Sequence, residues 1–198
     1  MDIAVLMDDL ASIKPYKDTT FALMLAAQAR GHRVMVFEQG DWQVRDGNVQ
    51  AYVRTVRLVD QDEDFFRVLN EEVIDLCEVD VVLQRKDPPF NLRYIYDSYM
   101  LDLLEAQDVR VVNPPQALRD MNEKFAITRL PQCTPETLIS KSRDEILAFL
   151  REFGEVVAKP LDGMGGSGVF KLTLGDKNTN AILDAMNPDG LQTLMVQR

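Results

Sequence analysis

Histidine and cysteine are nearly absent: His32 is the single histidine, and Cys77 and Cys133 are the two cysteines among 198 residues. His32 follows Arg30-Gly31 at the end of a helical pattern, a place for a solvated cap rather than for proton transfer. The cysteines are far apart and show neither CxxC nor metal-ligand spacing, which suits a reducing cytoplasm. Catalytic triads and multi-histidine metal centres are thereby excluded. No apolar run is long enough for a bilayer-spanning helix, and the chain enters the alternating stretch Ile3 to Leu6 without the marks of an export signal. Positive charge is scarce too: 22 Lys and Arg against 32 Asp and Glu leave a net charge of -10. That charge repels nucleic-acid phosphates and anionic lipid, so no nucleic-acid or membrane partner is expected and small molecules or proteins are favoured.

A hydrophobic content of 46% in this length supports one large domain or two small ones. Residues 3 to 7 read as a strand, Thr19 to Arg30 as a helix stopped by Gly31, and Val34 to Phe37 as a second strand, together a βαβ unit. The pattern resumes with a strand at Val79 to Gln84, a helix across Arg93 to Gln107 and a strand at Val109 to Asn113. Between them Asn48 to Val59 reads as extended, in a hairpin with the residues before Gly47, and Asp62 to Glu72 reads as a helix. The first half is therefore predicted to be α/β, with a doubly wound, mainly parallel sheet over residues 1–121.

From residue 122 the style changes to α+β. Thr137 to Ser140 is extended, and Ser142-Arg-Asp-Glu145 is a capping box opening a helix to Phe153. After Gly154 come a strand Glu155 to Lys159, a glycine-rich turn, a strand Val169 to Leu174, a helix near Thr179 to Met186 and a strand Leu191 to Val196.

The strongest motif is Lys159-Pro160-Leu161-Asp162-Gly163-Met164-Gly165-Gly166-Ser167-Gly168. A GxGxxG spacing alone is weak. A dinucleotide fingerprint needs a following helix and a Walker A loop needs Lys-Ser/Thr after its last glycine, whereas Val169-Phe170 follow here. A glycine loop between antiparallel strands instead resembles the flap over nucleotide phosphates, where missing side chains let N–H groups approach an anion and Lys159 adds fixed charge. The bland reading, a flexible hairpin with a solvated lysine, is the lesser one for four glycines in six residues. Asn122-Glu123-Lys124 taken alone is only a polar helix start. Gln84-Arg85-Lys86-Asp87-Pro88-Pro89-Phe90 lies at a strand end, where doubly wound sheets bind ligands; Arg85 could grip a carboxylate with two prongs, and a turn with surface charges is an equal alternative. Asp8-Asp9 is placed similarly.

Taken together, Met7-Asp8, Lys17-Asp18-Thr19-Thr20-Phe21, the RKDPPF stretch from Arg85 to Phe90, Val112-Asn113-Pro114, Leu118-Arg119-Asp120, Asn122-Glu123-Lys124, Thr134-Pro135-Glu136-Thr137 and Lys159 through Gly166 resemble prokaryotic glutathione synthetase, an ATP-grasp family. The resemblance spans essentially the whole chain, and RKDPPF in this order is its most specific part. It implies an ATP- and Mg2+-dependent ligase that joins γ-glutamylcysteine to glycine through an acyl phosphate, in a homo-oligomer. Such chemistry needs positioning, charge neutralisation and exclusion of water rather than a nucleophilic side chain.

The same resemblance assigns Lys124, Lys159 and the flap Gly163, Met164, Gly165, Gly166, Ser167 and Gly168 to nucleotide phosphates, Gln197 to the adenine, and Arg85, Lys86 and Asp87 to the substrate side. The family continues past the position of Arg198 into a segment with metal ligands. The expectation is therefore a C-terminally truncated chain, with an incomplete ATP-grasp subdomain at 122–198, no metal ligands of its own and no ligase activity alone. The alternatives are another ATP-grasp carboxylate–amine ligase and a non-catalytic nucleotide-binding module; the reading frame beyond Arg198 discriminates enzyme from module.

Overall fold

In the computed structural model, which describes residues 1–198, strand β1 (Asp2–Leu6) is flanked in parallel by β2 (Arg33–Phe37) and β6 (Val81–Gln84), and β7 (Arg110–Val112) continues the sheet beyond β6. Alternation in β1 decides which helix covers which face. Ile3 and Val5 pack with Phe21 and Met24 of α1 (Thr19–Ala29), whereas Ala4 and Leu6 pack with Leu101 and Leu104 of α2 (Leu92–Glu105). Helices on opposite faces of a parallel core make the doubly wound arrangement expected from the sequence. Leu101 and Leu104 are fully buried and contribute about 2 kcal/mol each. Asp18 caps α1, accepting from the Phe21 N–H at 2.7 Å.

The other edge is antiparallel: β3 (Trp42–Arg45) and β4 (Asn48–Leu58) form the expected hairpin, and β5 (Phe66–Asp75) pairs with the far side of β4. Here the structure corrects a prediction, because the segment read as a helix over Asp62 to Glu72 is largely β5. The register shifts between Thr55 and Val56, so Thr55 faces Asn70 and Val56 faces Val68, leaving Leu69 as the extra residue of a bulge. The bulge breaks the period of two and spaces Phe66, Leu69 and Val73 like one face of a helix. In β4 the buried positions change phase at the same point, from Val49, Ala51 and Val53 in one core to Val56 and Leu58 in the other.

These elements, with α3 (Pro115–Asp120) at their end, form one unit, Met1–Asp87 with Leu92–Arg119; Pro88–Asn91 and Asp120–Arg198 form a second. The second unit is an antiparallel sheet in the order β10 (Phe170–Thr173), β9 (Glu155–Pro160), β11 (Leu194–Gln197), β8 (Thr137–Ser140). Helices α4 (Arg143–Phe153) and α5 (Thr179–Met186) cover one face, where Ile146, Leu150 and Leu183 meet Val156, Ala158, Leu194 and Val196. Half of the predicted capping box is present: the Ser142 hydroxyl accepts from the Glu145 N–H at 3.4 Å. The Glu145 carboxylate accepts instead from the Ser140 hydroxyl at 2.7 Å, and that same oxygen accepts from the Ser142 N–H at 3.0 Å. Gly154, at φ 77°, stops α4. The last strand begins at Leu194 rather than Leu191, since Asp189 and Asn187 draw the Leu191 and Gln192 amides into a turn.

Candidate functional site

In the first unit β2 lies on one side of β1 and β6 on the other, so the chain reverses its winding at the C-terminal ends of β1 and β6. A crevice opens at such a point. The Arg85 N–H extends the ladder by donating to the Leu6 carbonyl at 2.8 Å. Its Nε donates to the Thr20 hydroxyl on α1 at 2.9 Å, and its two terminal nitrogens make no hydrogen bond within the chain. Lys86, 12% exposed, pairs with Asp8 at 2.8 Å and donates to the Asp87 carbonyl at 2.7 Å. Asp8 also accepts from the Asp87 N–H at 3.1 Å. Burial pushes the Asp87 carboxyl above its ordinary value, with the charges of Asp8 and Asp18 adding to it and Lys86 and Arg85 opposing. Beside these groups Asp8, Lys14, Lys17, Asp18 and Asp87 line a cleft of about 360 Å³. Arg85, Lys86 and Asp87 thus sit at one crevice with one guanidinium fork open.

In the second unit Val156, Ala158, Leu194 and Val196 face the helices, which turns Lys159, Met195 and Gln197 to the opposite face. Lys159 stands opposite Met195 in the ladder, and its ammonium makes no hydrogen bond or ion pair within the chain. Gln197, 8% exposed, is oriented by donating to the Thr137 hydroxyl at 2.9 Å.

The glycine loop leaves β9 directly after Lys159-Pro160. Gly168 has φ 70°, and a Cβ there would meet the Pro160 ring at 3.2 and 3.3 Å, so glycine is required on both counts. The loop is closed by its own turns, Ser167 N–H to Met164 carbonyl at 3.1 Å and Val169 N–H to Gly166 carbonyl at 3.3 Å. The N–H groups of Gly165, Gly166 and Gly168 make no hydrogen bond within the chain, and all three glycines are exposed. Lys124 donates to the Gly163 carbonyl and pairs with Glu123 at 2.9 Å. Lys124 and the loop thus form one cluster, and Lys159 and Gln197 share one sheet face. Unpaired loop amides that follow an unpaired ammonium along the chain can receive an anion with several oxygens.

Three contributors carry no role in the sequence reading. Thr20 holds Arg85; nothing in a helix-entry threonine announces that. Asn122 bonds the turn at Lys124 and the Leu161 carbonyl. Asp97, 6% exposed on α2, accepts hydrogen bonds from the Gln39 amide and, at 3.2 Å, the Trp42 indole. Asp97 was detectable, because it interrupts the buried stripe Tyr94, Leu101, Leu104 with a carboxylate.

Known proteins resemble both units. The glutathione synthetases of Coxiella burnetii and Pseudomonas putida are each 41% identical, over 198 and 195 residues, or 100% and 98% of this chain and 62% of each relative. The chain thus spans about three-fifths of the length of these relatives. Among solved structures, a RimK domain protein ATP-grasp from Sphaerobacter thermophilus superposes with a TM-score of 0.62 at 20% identity, covering 100% of this chain and 63% of that one. D-alanyl-alanine synthetase A from Vibrio cholerae gives 0.60 at 13% identity, covering 100% and 59%. At those identities the likeness concerns the fold, and it is an ATP-grasp fold in part. The description "Prokaryotic glutathione synthetase, N-terminal domain" matches residues 1–119, and "Prokaryotic glutathione synthetase, ATP-grasp domain" matches residues 123–198; the chain belongs to the prokaryotic glutathione synthetase family.

Proposed function

We propose that the protein of which this chain is part ligates γ-glutamylcysteine to glycine at the expense of ATP, through an acyl phosphate, giving glutathione, ADP and phosphate. The observation that carries this lies in the second unit: an unpaired Lys159 ammonium at the end of a strand, followed directly along the chain by a loop offering the amides of Gly165, Gly166 and Gly168. Residues 122–198 are the central ATP-grasp subdomain in this reading. Lys124, Lys159 and Gly163 to Gly168 with Met164 and Ser167 take the phosphates, and Gln197 lies along the adenine. Phosphate charge is neutralised by lysine and by backbone dipoles once the loop has closed over it.

Residues 1–121 are the substrate side. Arg85, fixed at Nε by Thr20, presents its open fork to a carboxylate, while Lys86 and Asp87 complete the wall of the crevice. Mg2+ belongs to this reaction as the ion that neutralises phosphate charge when bound. No three His, Cys, Asp or Glu side chains gather about one point here, and Mg2+ in such reactions is held by one or two carboxylates together with the phosphates of the substrate. The reading also places the protein in the cytoplasm as a homo-oligomer, with no nucleic-acid or membrane partner; among its helices none is long and apolar enough to cross a membrane.

The test is phosphate release by the full-length protein with Mg-ATP, γ-glutamylcysteine and glycine, each omitted in turn. Release should need all three and fall about 100-fold or more in Lys159→Ala. Release with a different amine or carboxylate would move the substrate within the ATP-grasp ligases, and silence across a panel of amino acids and dipeptides would make the protein a nucleotide-binding module.

A further inference from the structure

We propose that Asn122 is a positioning residue that fastens the base of the glycine loop and aims Lys124 at it; this rests on the reading of that loop as a nucleotide flap. The two ends of the Asn122 amide point to two separate segments. Its Oδ1 accepts from the Lys124 N–H at 3.1 Å and the Phe125 N–H at 2.9 Å, closing the turn from which the Lys124 side chain departs. Its Nδ2 donates to the Leu161 carbonyl at 3.3 Å, thirty-nine positions along the chain. Two residues further on, Lys124 Nζ donates to the Gly163 carbonyl. One side chain therefore fixes both the origin of the lysine and the segment the lysine reaches.

The consequence is a division of the loop. Leu161 and Gly163 are tied by their carbonyls to the Asn122–Lys124 turn, and the Asp162 carbonyl accepts from the Phe90 N–H at 3.2 Å. From Met164 to Gly168 the bonds are the loop's own turns. The hinge of the flap lies between Gly163 and Met164, and only the tip is free to close on an anion. Asparagine suits this place because one planar amide supplies an acceptor and a donor in opposite directions. Aspartate would keep the acceptor for the turn but set a carboxylate oxygen against the Leu161 carbonyl.

Asn122→Asp and Asn122→Ala in the full-length protein separate the two arms. Hydrogen exchange without nucleotide should quicken about 10-fold at Phe90, whose N–H donates to the Asp162 carbonyl of the fastened segment, in Asn122→Asp with residues 124–126 unchanged, and quicken at both places in Asn122→Ala. In steady state Asn122→Asp should raise KM for ATP about 5- to 10-fold and leave kcat within 2-fold. Exchange at Phe90 matching the wild type in Asn122→Asp, or a loss confined to kcat, overturns the proposal. If Lys159→Ala leaves phosphate release intact while the exchange result holds, the nucleotide reading fails and the fastening stands; the reverse pair of results sinks the fastening alone.

Discussion

The segment from Arg85 to Asp87 and the loop from Leu161 to Gly168 both leave the end of a sheet strand, and they are held in opposite ways. In the first, three successive backbone amides are committed: Arg85 to the Leu6 carbonyl at 2.8 Å, Lys86 to the Gln84 side chain at 2.8 Å, and Asp87 to Asp8 at 3.1 Å. In the second, the amides of Gly165, Gly166 and Gly168 have no partner in the chain. A strand end whose amides are all engaged keeps Arg85 in one orientation, which suits selection of a substrate by shape and charge. A loop whose amides make no bond within the chain is less tightly held and can change its conformation at small cost. In the proposed function this sets substrate recognition on a stiff element and phosphate cover on a compliant one.

The largest effect should come from stiffening the compliant element. Valine at position 168 would hold φ 70°, a region that costs an L-residue about 1–2 kcal/mol, and would press its Cβ on the Pro160 ring at 3.2 Å. Gly168→Val should lower kcat/KM for ATP by about 30-fold or more in the full-length protein, with the thermal midpoint of the second unit nearly unchanged because the exposed loop relaxes out of the strained turn and gives up its own geometry rather than the fold. Initial rates and a melt of the same preparation check both halves. A drop in the midpoint equal to the drop in activity would place the loop among the stability elements and erase the contrast.

A smaller effect should follow from loosening the stiff element. Lys86→Met keeps the buried stem but removes the one ammonium between Asp8 and the Asp87 carbonyl. Two carboxylates then face each other without their cation. Asp8 is 41% exposed, so water screens part of the repulsion and the expected loss is about 1–2 kcal/mol at neutral pH. Trp42, the single tryptophan, lies in the first unit and reports that unfolding by fluorescence in urea. An unchanged midpoint would mean that the committed amides alone hold the segment.

How far the sequence disclosed this contrast depended on how local each signal was. The glycine loop between its strands was legible because glycine content, the Lys159-Pro160 entry and the flanking strands all sit within a dozen residues. Helix α1 was legible from its apolar pattern and the Gly31 stop, and α4 from its cap Ser142 and the Gly154 stop. The strand β5 was not, because a one-residue bulge at Leu69 imitates helical spacing and is set by the partner strand β4, not by its own residues. The roles of Thr20 and Asn122 were likewise hidden: each bonds a residue far along the chain, and nothing near either names its partner.

The gentlest test concerns how the first unit holds a charge that is not at the crevice. Asp97 is pushed above its ordinary value of 3.8 by burial, against the hydrogen bonds from Gln39 and Trp42 and the charge of Lys86. A carboxyl whose folded value is raised binds its proton more tightly folded than unfolded. Its stabilising contribution is complete below 3.8 and is lost as pH rises through the folded value, so ionised Asp97 weakens the unit near neutrality. Asparagine removes that titration: its oxygen can accept from the Trp42 indole, and Gln39 can turn its amide to offer an oxygen to the new nitrogen. Asp97→Asn should therefore flatten the dependence of unfolding free energy on pH above 3.8, the variant gaining relative to wild type as pH rises. Trp42 fluorescence in urea at a series of pH values reads this at the indole that Asp97 holds. Parallel profiles for the two proteins would show that the carboxylate is as well solvated by its two donors as by water, and the first unit would then be stiff without any cost stored in its interior.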